Sequence, residues 1–306
     1  MKIAVTGASG LLGLNLSLLE GSGVEITGID RSKLERTPFE LLRADLLEHG
    51  VIEHLLDTIK PDAVLHTAAN ANVDACEVDP AGARRLNADL PGELAVACSK
   101  RGIRLMHIST DAVFDGSLDG IYTEADLPNP LGVYAHTKLD AEKNVLSTDS
   151  HAIVARVNFF GWSMDGNRSL PEYFLNKLTA NQPCNGFSDV IFCPMFVGDL
   201  ARTLRLMLEK ELSGLYHVVG SEAITKFEFG QRIARQFGCD PALVIPRSVD
   251  DSGLKARRSP NLHLSIHKLS TALHQDIPSF STGITEFYTQ AQQGYPQKMR
   301  SYQQIS

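Results

Sequence analysis

The chain has 306 residues, with 29 Lys and Arg against 36 Asp and Glu, a formal net charge of −7. With 43% hydrophobic and 21% charged residues it has a globular rather than a disordered composition. An acidic balance without any basic block excludes a sequence-independent nucleic-acid binder, and no apolar run approaches the length of a membrane span.

Lys2–Thr6 predicts a buried strand, Leu11–Glu20 a helix, Val24–Ile29 a second strand ending at Asp30, and Leu41–Asp45 a short third strand. Val51–Ile59 reads as helix, and Ala63–Ala69 as a fourth strand behind the breaker Pro61. Arg84–Lys100 has helical periodicity, Arg104–Ser109 is a fifth strand, Tyr134–Leu146 a helix and Ala152–Val157 a sixth strand. Nearly all-apolar strands alternating with helices imply an α/β fold, a Rossmann-type doubly wound parallel sheet covered on both faces. After about Asn158, Gly, Pro and Asn become frequent and the alternation is lost. Leu200–Leu208 still reads as helix, Leu215–Val219 as strand and Phe227–Phe237 as helix. We therefore expect a dinucleotide-binding domain over 1–158, with a return over about 190–212, and a smaller α+β substrate-binding domain over 159–306. The last few residues are expected to fray.

Cys76, Cys98, Cys184, Cys193 and Cys239 are odd in number and scattered, without the two-residue spacing of redox or zinc motifs. They read as small buried hydrophobes in a reducing compartment. The opening apolar run is too short for a signal-peptide core, so a cytoplasmic location is expected. The histidines, including His66, His107, His217, His263 and His267, show no metal-ligand spacing, and no catalytic metal is expected.

The chemistry begins at Thr6-Gly7-Ala8-Ser9-Gly10-Leu11-Leu12-Gly13, between a strand and a helix. Gly7 allows a tight turn, Gly10 lets the backbone approach a pyrophosphate, and Gly13 lets helix and sheet pack closely. The helix N-terminus then offers free N–H groups to phosphates. Asp30, ending the second strand, stands where a carboxylate holds the adenosine ribose hydroxyls. It favours NAD, while Arg31 and Ser32 could offset its charge and admit NADP. A helix cap is the competing role for Asp30, and an equal competitor for Asp45, whose other reading is the adenine amino group.

Tyr134 and Lys138 are four apart on a predicted helix and share a face. A neighbouring ammonium favours the phenolate and would lower the phenol from its ordinary value of about 10, making Tyr134 a usable acid–base group. The segment Ser109-Thr110-Asp111-Ala112-Val113-Phe114-Asp115-Gly116 leaves the fifth strand on the side where ligands bind such sheets.

With these motifs, Ala68-Ala69, Val73-Asp74-Ala75-Cys76-Glu77, Asn87 and Asp199-Leu200-Ala201 run in one order through the first two-thirds of the chain. The sequence resembles the extended short-chain dehydrogenase/reductases, and more narrowly the dTDP-4-dehydrorhamnose reductase branch. The resemblance implies hydride transfer from NADH or NADPH to a sugar ketone, with a catalytic triad of Thr110, Tyr134 and Lys138. Thr110, rather than Ser109, matches the catalytic hydroxyl. It implies cofactor binding by Gly7, Ser9, Gly10, Leu11, Leu12, Gly13, Asp30, Arg31, Asp45, Leu46, Ala68, Ala69, Tyr134 and Lys138. It implies substrate binding by Asp111, Val113, Phe114, Asn158, Arg257 and Arg258, the arginines suiting the diphosphate of a nucleotide sugar. Dimers formed through the helices flanking the sheet are common in such proteins, so a homodimer is allowed for.

Asp111 is followed by Ala112, where the 4,6-dehydratases have an Asp-Glu pair, and this weighs against dehydration. Ala135 replaces a common glycine, Asn70-Ala71-Asn72 lacks the usual threonine, and Phe187–Met195 lacks the usual Pro-Thr pair. Those departures bear on the identity of the sugar. Arg156 reads as the partner of a carboxylate, and Trp162, the only Trp, as core packing. Two alternatives remain: an epimerase or dehydratase with tightly held NAD, and a non-catalytic partner such as the regulatory subunit of methionine adenosyltransferase, which the same branch resembles. An intact triad beside an intact glycine turn favours the enzyme.

Overall fold

The computed structural model describes residues 1–18, 23–32, 34–251, 253 and 256–303. Seven parallel strands form one sheet, in the order Gly214–Val218, Ile153–Val157, Arg104–Thr110, Ala63–His66, Lys2–Thr6, Glu25–Asp30, Glu40–Arg43. The central strands are buried along almost their whole length, as a sheet covered on both faces requires. Strand order reverses at Lys2–Thr6. The chain builds outward to Glu40–Arg43 on one side, then crosses to Ala63–His66 and builds outward on the other. A crevice opens at the carboxyl ends of the strands at such a switch point, and the glycine turn leaves the sheet there.

The fourth strand stops at His66, three residues before the expected end. The Thr67 hydroxyl donates to the Thr6 carbonyl at 2.7 Å, so Ala68 and Ala69 lie in the loop beyond the strand. The helix expected over Arg84–Lys100 is three pieces: Pro80–Arg84, a π-helical turn at Arg85–Asp89, and Leu90–Ser99. Pro91 has no N–H to offer the carbonyl of Asn87, and the ladder widens just before it. The first helix runs Leu11–Ser17, and the expected continuation through Leu19 and Glu20 lies outside the described residues. So do the last three residues, expected to fray.

The second half adds elements that the sequence pattern did not reveal. Ile191–Phe192, Ile224–Thr225 and Asn261–Leu262 form a three-stranded sheet, and Cys184–Phe187 pairs with Val244–Arg247. Strands of two residues carry no periodicity to read. The helices Leu170–Leu178 and Phe280–Gln292 are also new; the first opens on a capping box of Ser169 and Glu172. Phe160, Phe196, Phe229, Phe280 and Phe287 pack together beneath them. Trp162 stacks on Phe287 at 4.0 Å and donates its indole N–H to the Phe287 carbonyl, which places it in the core. All five cysteines are free; four are buried and Cys239 is half-buried. Among the described residues no helix is long and apolar enough to cross a membrane.

Candidate active site

A cleft of about 260 Å³ opens at the switch point, lined by Gly7, Ser9, Gly10, Asp30, Arg31, Asp45, Leu46, Ala68 and Ala69 among others. Gly7 has a φ of 69°, and a Cβ there would come within 2.8 Å of the Ala68 backbone. At Gly13 a Cβ would fall 2.1 Å from the Gly7 carbonyl oxygen, so that residue serves helix-on-turn packing. Leu11, Leu12 and Gly13 do not line the cleft, and Leu12 is buried in the core beneath it. The Asp30 carboxylate accepts from the backbone N–H of Ser9 at 2.9 Å and of Ser32 at 2.8 Å. It therefore fixes the glycine turn from below and caps no helix. Asp45 accepts from Leu47 N–H at 2.9 Å and lies 3.8 Å from the Arg31 guanidinium. Thr67 and Arg168 also line the cleft; no motif flagged Arg168, which enters from the loop before Leu170–Leu178.

A second cavity, of about 200 Å³, holds Thr110, Asp111, Tyr134, Asn158, Arg257 and Arg258 on its wall. Thr110 ends its strand, and its hydroxyl donates to the Asp111 carboxylate at 3.2 Å; the Tyr134 phenol stands on the same cavity wall. Asn158 donates to the other Asp111 oxygen at 2.6 Å. Burial pushes Asp111 up to about 6, against the hydrogen bonds from Asn158 and Thr110. Burial likewise pushes Tyr134 up to about 12, with the nearby Thr110 hydroxyl opposing and the Asp111 charge adding to the rise.

The expectation that Lys138 lowers the phenol is not met in this structure. The Lys138 ammonium is turned to the sheet, 2.6 Å from the Ile108 carbonyl and 3.0 Å from His107 Nε2. Burial brings Lys138 down to about 7, with Glu142 opposing. His107 stacks on His66, whose Nδ1 meets the Thr6 hydroxyl at 2.7 Å. A buried polar chain thus runs from the first strand to Lys138.

Three residues of the quoted motifs, Asn87, Glu77 and Asp74, hold this site rather than line it. Asn87, on the π-helical turn, is fully buried; it donates to Asn70 O at 3.0 Å and Thr137 Oγ1 at 3.3 Å. It ties the loop after the fourth strand to the helix carrying Tyr134. Glu77 accepts from Val133 N–H at 2.7 Å, a carboxylate at the N-terminus of the helix Val133–Thr148. Asp74 accepts from Ala256 N–H at 3.1 Å and lies 3.7 Å from the Arg258 guanidinium. Asn72, where a threonine was missed, caps the helix Val73–Val78 through Ala75 N–H.

Ser109 and Thr110 point to opposite sides of their strand. Ser109 donates to Glu142 at 2.5 Å, and Glu142 receives two hydrogen bonds from Arg156, at 2.9 and 2.7 Å. That pair is buried, so Arg156 meets a carboxylate. Val113 and Phe114, expected to touch substrate, are fully buried in a satellite cluster with Tyr122 and Leu262 and do not line the cavity. Their apolar side chains anchor the loop after Thr110. A neighbouring cleft of about 510 Å³ shares Leu131, Arg257 and Arg258 with the cavity. Lys255, near those arginines in sequence, lies outside the described residues. Lys226 also lines the cavity, a residue the sequence pattern gave no reason to choose. Among the described residues no group of three or more His, Cys, Asp or Glu could hold a metal.

The family model described as RmlD substrate binding domain matches residues 1–293. A "Probable low-salt glycan biosynthesis reductase" of Haloferax volcanii is 32% identical over 266 residues, covering 85% of this chain and 89% of the relative. Methionine adenosyltransferase 2 subunit beta of Mus musculus is 34% identical over 241 residues, covering 76% of this chain and 71% of that protein. Among solved structures, a dTDP-4-dehydrorhamnose reductase of Clostridium acetobutylicum superposes with a TM-score of 0.85 at 25% identity, over 95% of this chain and 100% of that one.

Proposed function

This chain belongs to the RmlD substrate binding domain family, and from that premise we propose that it is an NAD(P)H-dependent reductase of the keto group of a nucleotide-linked sugar. The reading rests above all on one observation: Thr110 and Tyr134, far apart in sequence, stand together on the wall of one cavity. The enzymatic assignment agrees with the names of the Haloferax and Clostridium relatives.

The residues of the switch-point cleft fit a dinucleotide. A tight turn whose Gly7 packs on the Ala68 backbone and which Asp30 holds, with Gly10 facing the cleft without a side chain, suits a pyrophosphate approaching the backbone. Gly7, Ser9, Gly10, Asp30, Arg31, Asp45, Leu46, Ala68 and Ala69 would hold it, with NAD favoured by Asp30 and NADP admitted by Arg31. The reduced nicotinamide supplies the hydride when bound. Thr110 then polarises the ketone by hydrogen bonding to its oxygen, and Tyr134, kept protonated at neutral pH by burial, donates its proton to the forming alkoxide. Lys138 is assigned to the nicotinamide ribose, its ammonium oriented by His107 and the Ile108 carbonyl with one N–H left to donate. Arg257 and Arg258, shared by cavity and cleft, are assigned to the diphosphate, and Asp111 and Asn158 to the sugar. In this division the parallel sheet carries the cofactor and the later small sheets carry the substrate. The reading includes a cytoplasmic, reducing location, supported by the free thiols, and a homodimer through the flanking helices, which light scattering on the purified protein tests.

The experiment is oxidation of NADH and NADPH with nucleotide-linked 4-keto sugars. Wild type should turn over at least one, and Tyr134→Phe should lose about 10²–10⁴ in rate while retaining cofactor binding. Wild type that binds cofactor but reduces none of the panel sinks the reading. The likeness to the Mus musculus subunit supports a second reading, a partner subunit. Under it, Tyr134→Phe leaves the measured effect on the partner unchanged.

A further inference from the structure

One cation in the cavity has no part in the scheme above. Lys226 lines the same cavity as Thr110, Asp111 and Tyr134. Its Nζ lies 5.8 Å from the ring centre of Phe187 and 6.0 Å from that of Phe192. Among the described residues its ammonium makes no hydrogen bond or ion pair, and the two rings are its close neighbours.

The position does not suit an ammonium. Lys226 opens the helix Lys226–Gln236, where the helix dipole presents its positive end. The helix is already capped by Thr225, whose hydroxyl accepts from Glu228 N–H at 3.0 Å. Burial lowers the pKa of Lys226, with Asp111 opposing and Arg258 adding to the fall. A charge disfavoured by burial and by the helix end has, in the fold, only two distant ring contacts and the pull of Asp111 in its favour, without a hydrogen bond or ion pair.

The neighbouring charges sharpen its role. Asp111, across the cavity, attracts Lys226 but is committed to Asn158 and Thr110. Arg258 lies beside Asp74, and Arg257 is exposed at the mouth shared with the outer cleft. Lys226 does not line that outer cleft. It stands on the inner side, with the residues assigned to the reacting sugar.

We propose that Lys226 is a substrate-binding residue that takes an oxyanion of the substrate close to the reacting carbonyl, either the sugar-proximal phosphate or a carboxylate on the sugar. The inference rests on the reductase reading and deepens it. It adds an anion contact to the two arginines and makes Lys226 a determinant of which sugar is accepted.

Calorimetric titration of the whole protein tests it, with dTDP, dTDP-glucose and dTDP-glucuronate, and their UDP counterparts, as probes. Wild type, Lys226→Met and Lys226→Arg are compared. Lys226→Met should weaken binding about tenfold or more, as loss of a charge-assisted hydrogen bond does, and Lys226→Arg should restore most of it. Weakening of the nucleotide and both sugars alike assigns the phosphate; weakening of the glucuronate alone assigns the carboxylate. Equal affinities of wild type and Lys226→Met for every probe that binds overturn the proposal. Thermal unfolding of Lys226→Met should match or exceed wild type, because the removed charge opposed the helix end. Should that variant unfold, Lys226→Gln, which stays polar without charge, gives the same comparison. If no probe binds wild type, the sugar reading falls and this inference with it, a result distinct from binding that is indifferent to Lys226.

Discussion

Lys138 Nζ lies 3.0 Å from His107 Nε2, within a buried chain that continues through the stacked ring of His66 to the Thr6 hydroxyl. The imidazole supplies an acceptor to an ammonium that has otherwise only the Ile108 carbonyl. Burial holds both histidines neutral, His66 at about 3 and His107 well below its usual range, so neither competes as a cation. His107 is thereby a positioning residue for Lys138.

Replacing His107 with Leu removes that acceptor. The Lys138 pKa, already brought down to about 7 by burial, should fall further, and less ammonium remains at pH 7 to meet the cofactor ribose. Cofactor affinity in His107→Leu should weaken several-fold at pH 7 and recover as pH is lowered, whereas His107→Gln should stay near wild type. Fluorescence titration of NADPH at pH 6, 7 and 8 reads this. A deficit equal at all three values would mean that His107 only packs.

Asp111 gives a pH dependence of stability. Its folded pKa of about 6 exceeds the ordinary 3.8, so between those values the folded chain binds the proton that the unfolded chain has released. The contribution is fully present below about pH 4 and is lost as pH rises through 6. Asp111→Asn should therefore gain on wild type by about 1–3 kcal/mol at pH 7, and by less at pH 5. Urea unfolding at both values checks it; a difference that does not change with pH contradicts the assignment.

Two glycines of one turn should fail differently. Gly13→Ala places a Cβ 2.1 Å from the Gly7 carbonyl oxygen, against backbone that has no room to move. It should cost about 1–3 kcal/mol and lower Tm. At Gly10 the Cβ meets the same oxygen at 3.2 Å, and the residue lines the cleft. Gly10→Ala should keep Tm within a few degrees and weaken cofactor binding instead.

Glu142 and Arg156 are a buried ion pair, with side-chain exposures of 4% and 3%. Glu142→Gln leaves the guanidinium uncompensated and should cost about 3–5 kcal/mol. The paired replacement Glu142→Leu with Arg156→Met should recover most of that loss. Denaturant unfolding of the three proteins decides it, and a double variant destabilised as much as Glu142→Gln would show that the two do not act as a pair.

Much of the sheet was legible because strands buried on both faces must be apolar along their length, and six such runs stand out between Lys2 and Val157. The glycine turn was legible because close backbone approach excludes side chains. The sequence misled where one residue can serve two surroundings. Val113 and Phe114 sit in the best-marked motif, yet their role is to bury apolar area under the loop that presents Thr110. The Tyr134–Lys138 spacing promised mutual influence, but the hydrogen-bond partners of the ammonium lie in the sheet, and only packing brings His107 to it.

By itself the sequence determined the parallel sheet, the glycine turn and the order of the residues proposed for catalysis, because each depends on local pattern: apolar run length, glycine spacing, helical repeat. The tertiary structure alone decided that Ser109 is spent on Glu142, that Asp74 and Glu77 brace the site from outside it, and that the Lys226 ammonium stands inside without a hydrogen bond or ion pair. These depend on which distant segments share one small volume, and electrostatic and packing energies at a few ångströms leave no periodic trace along the chain.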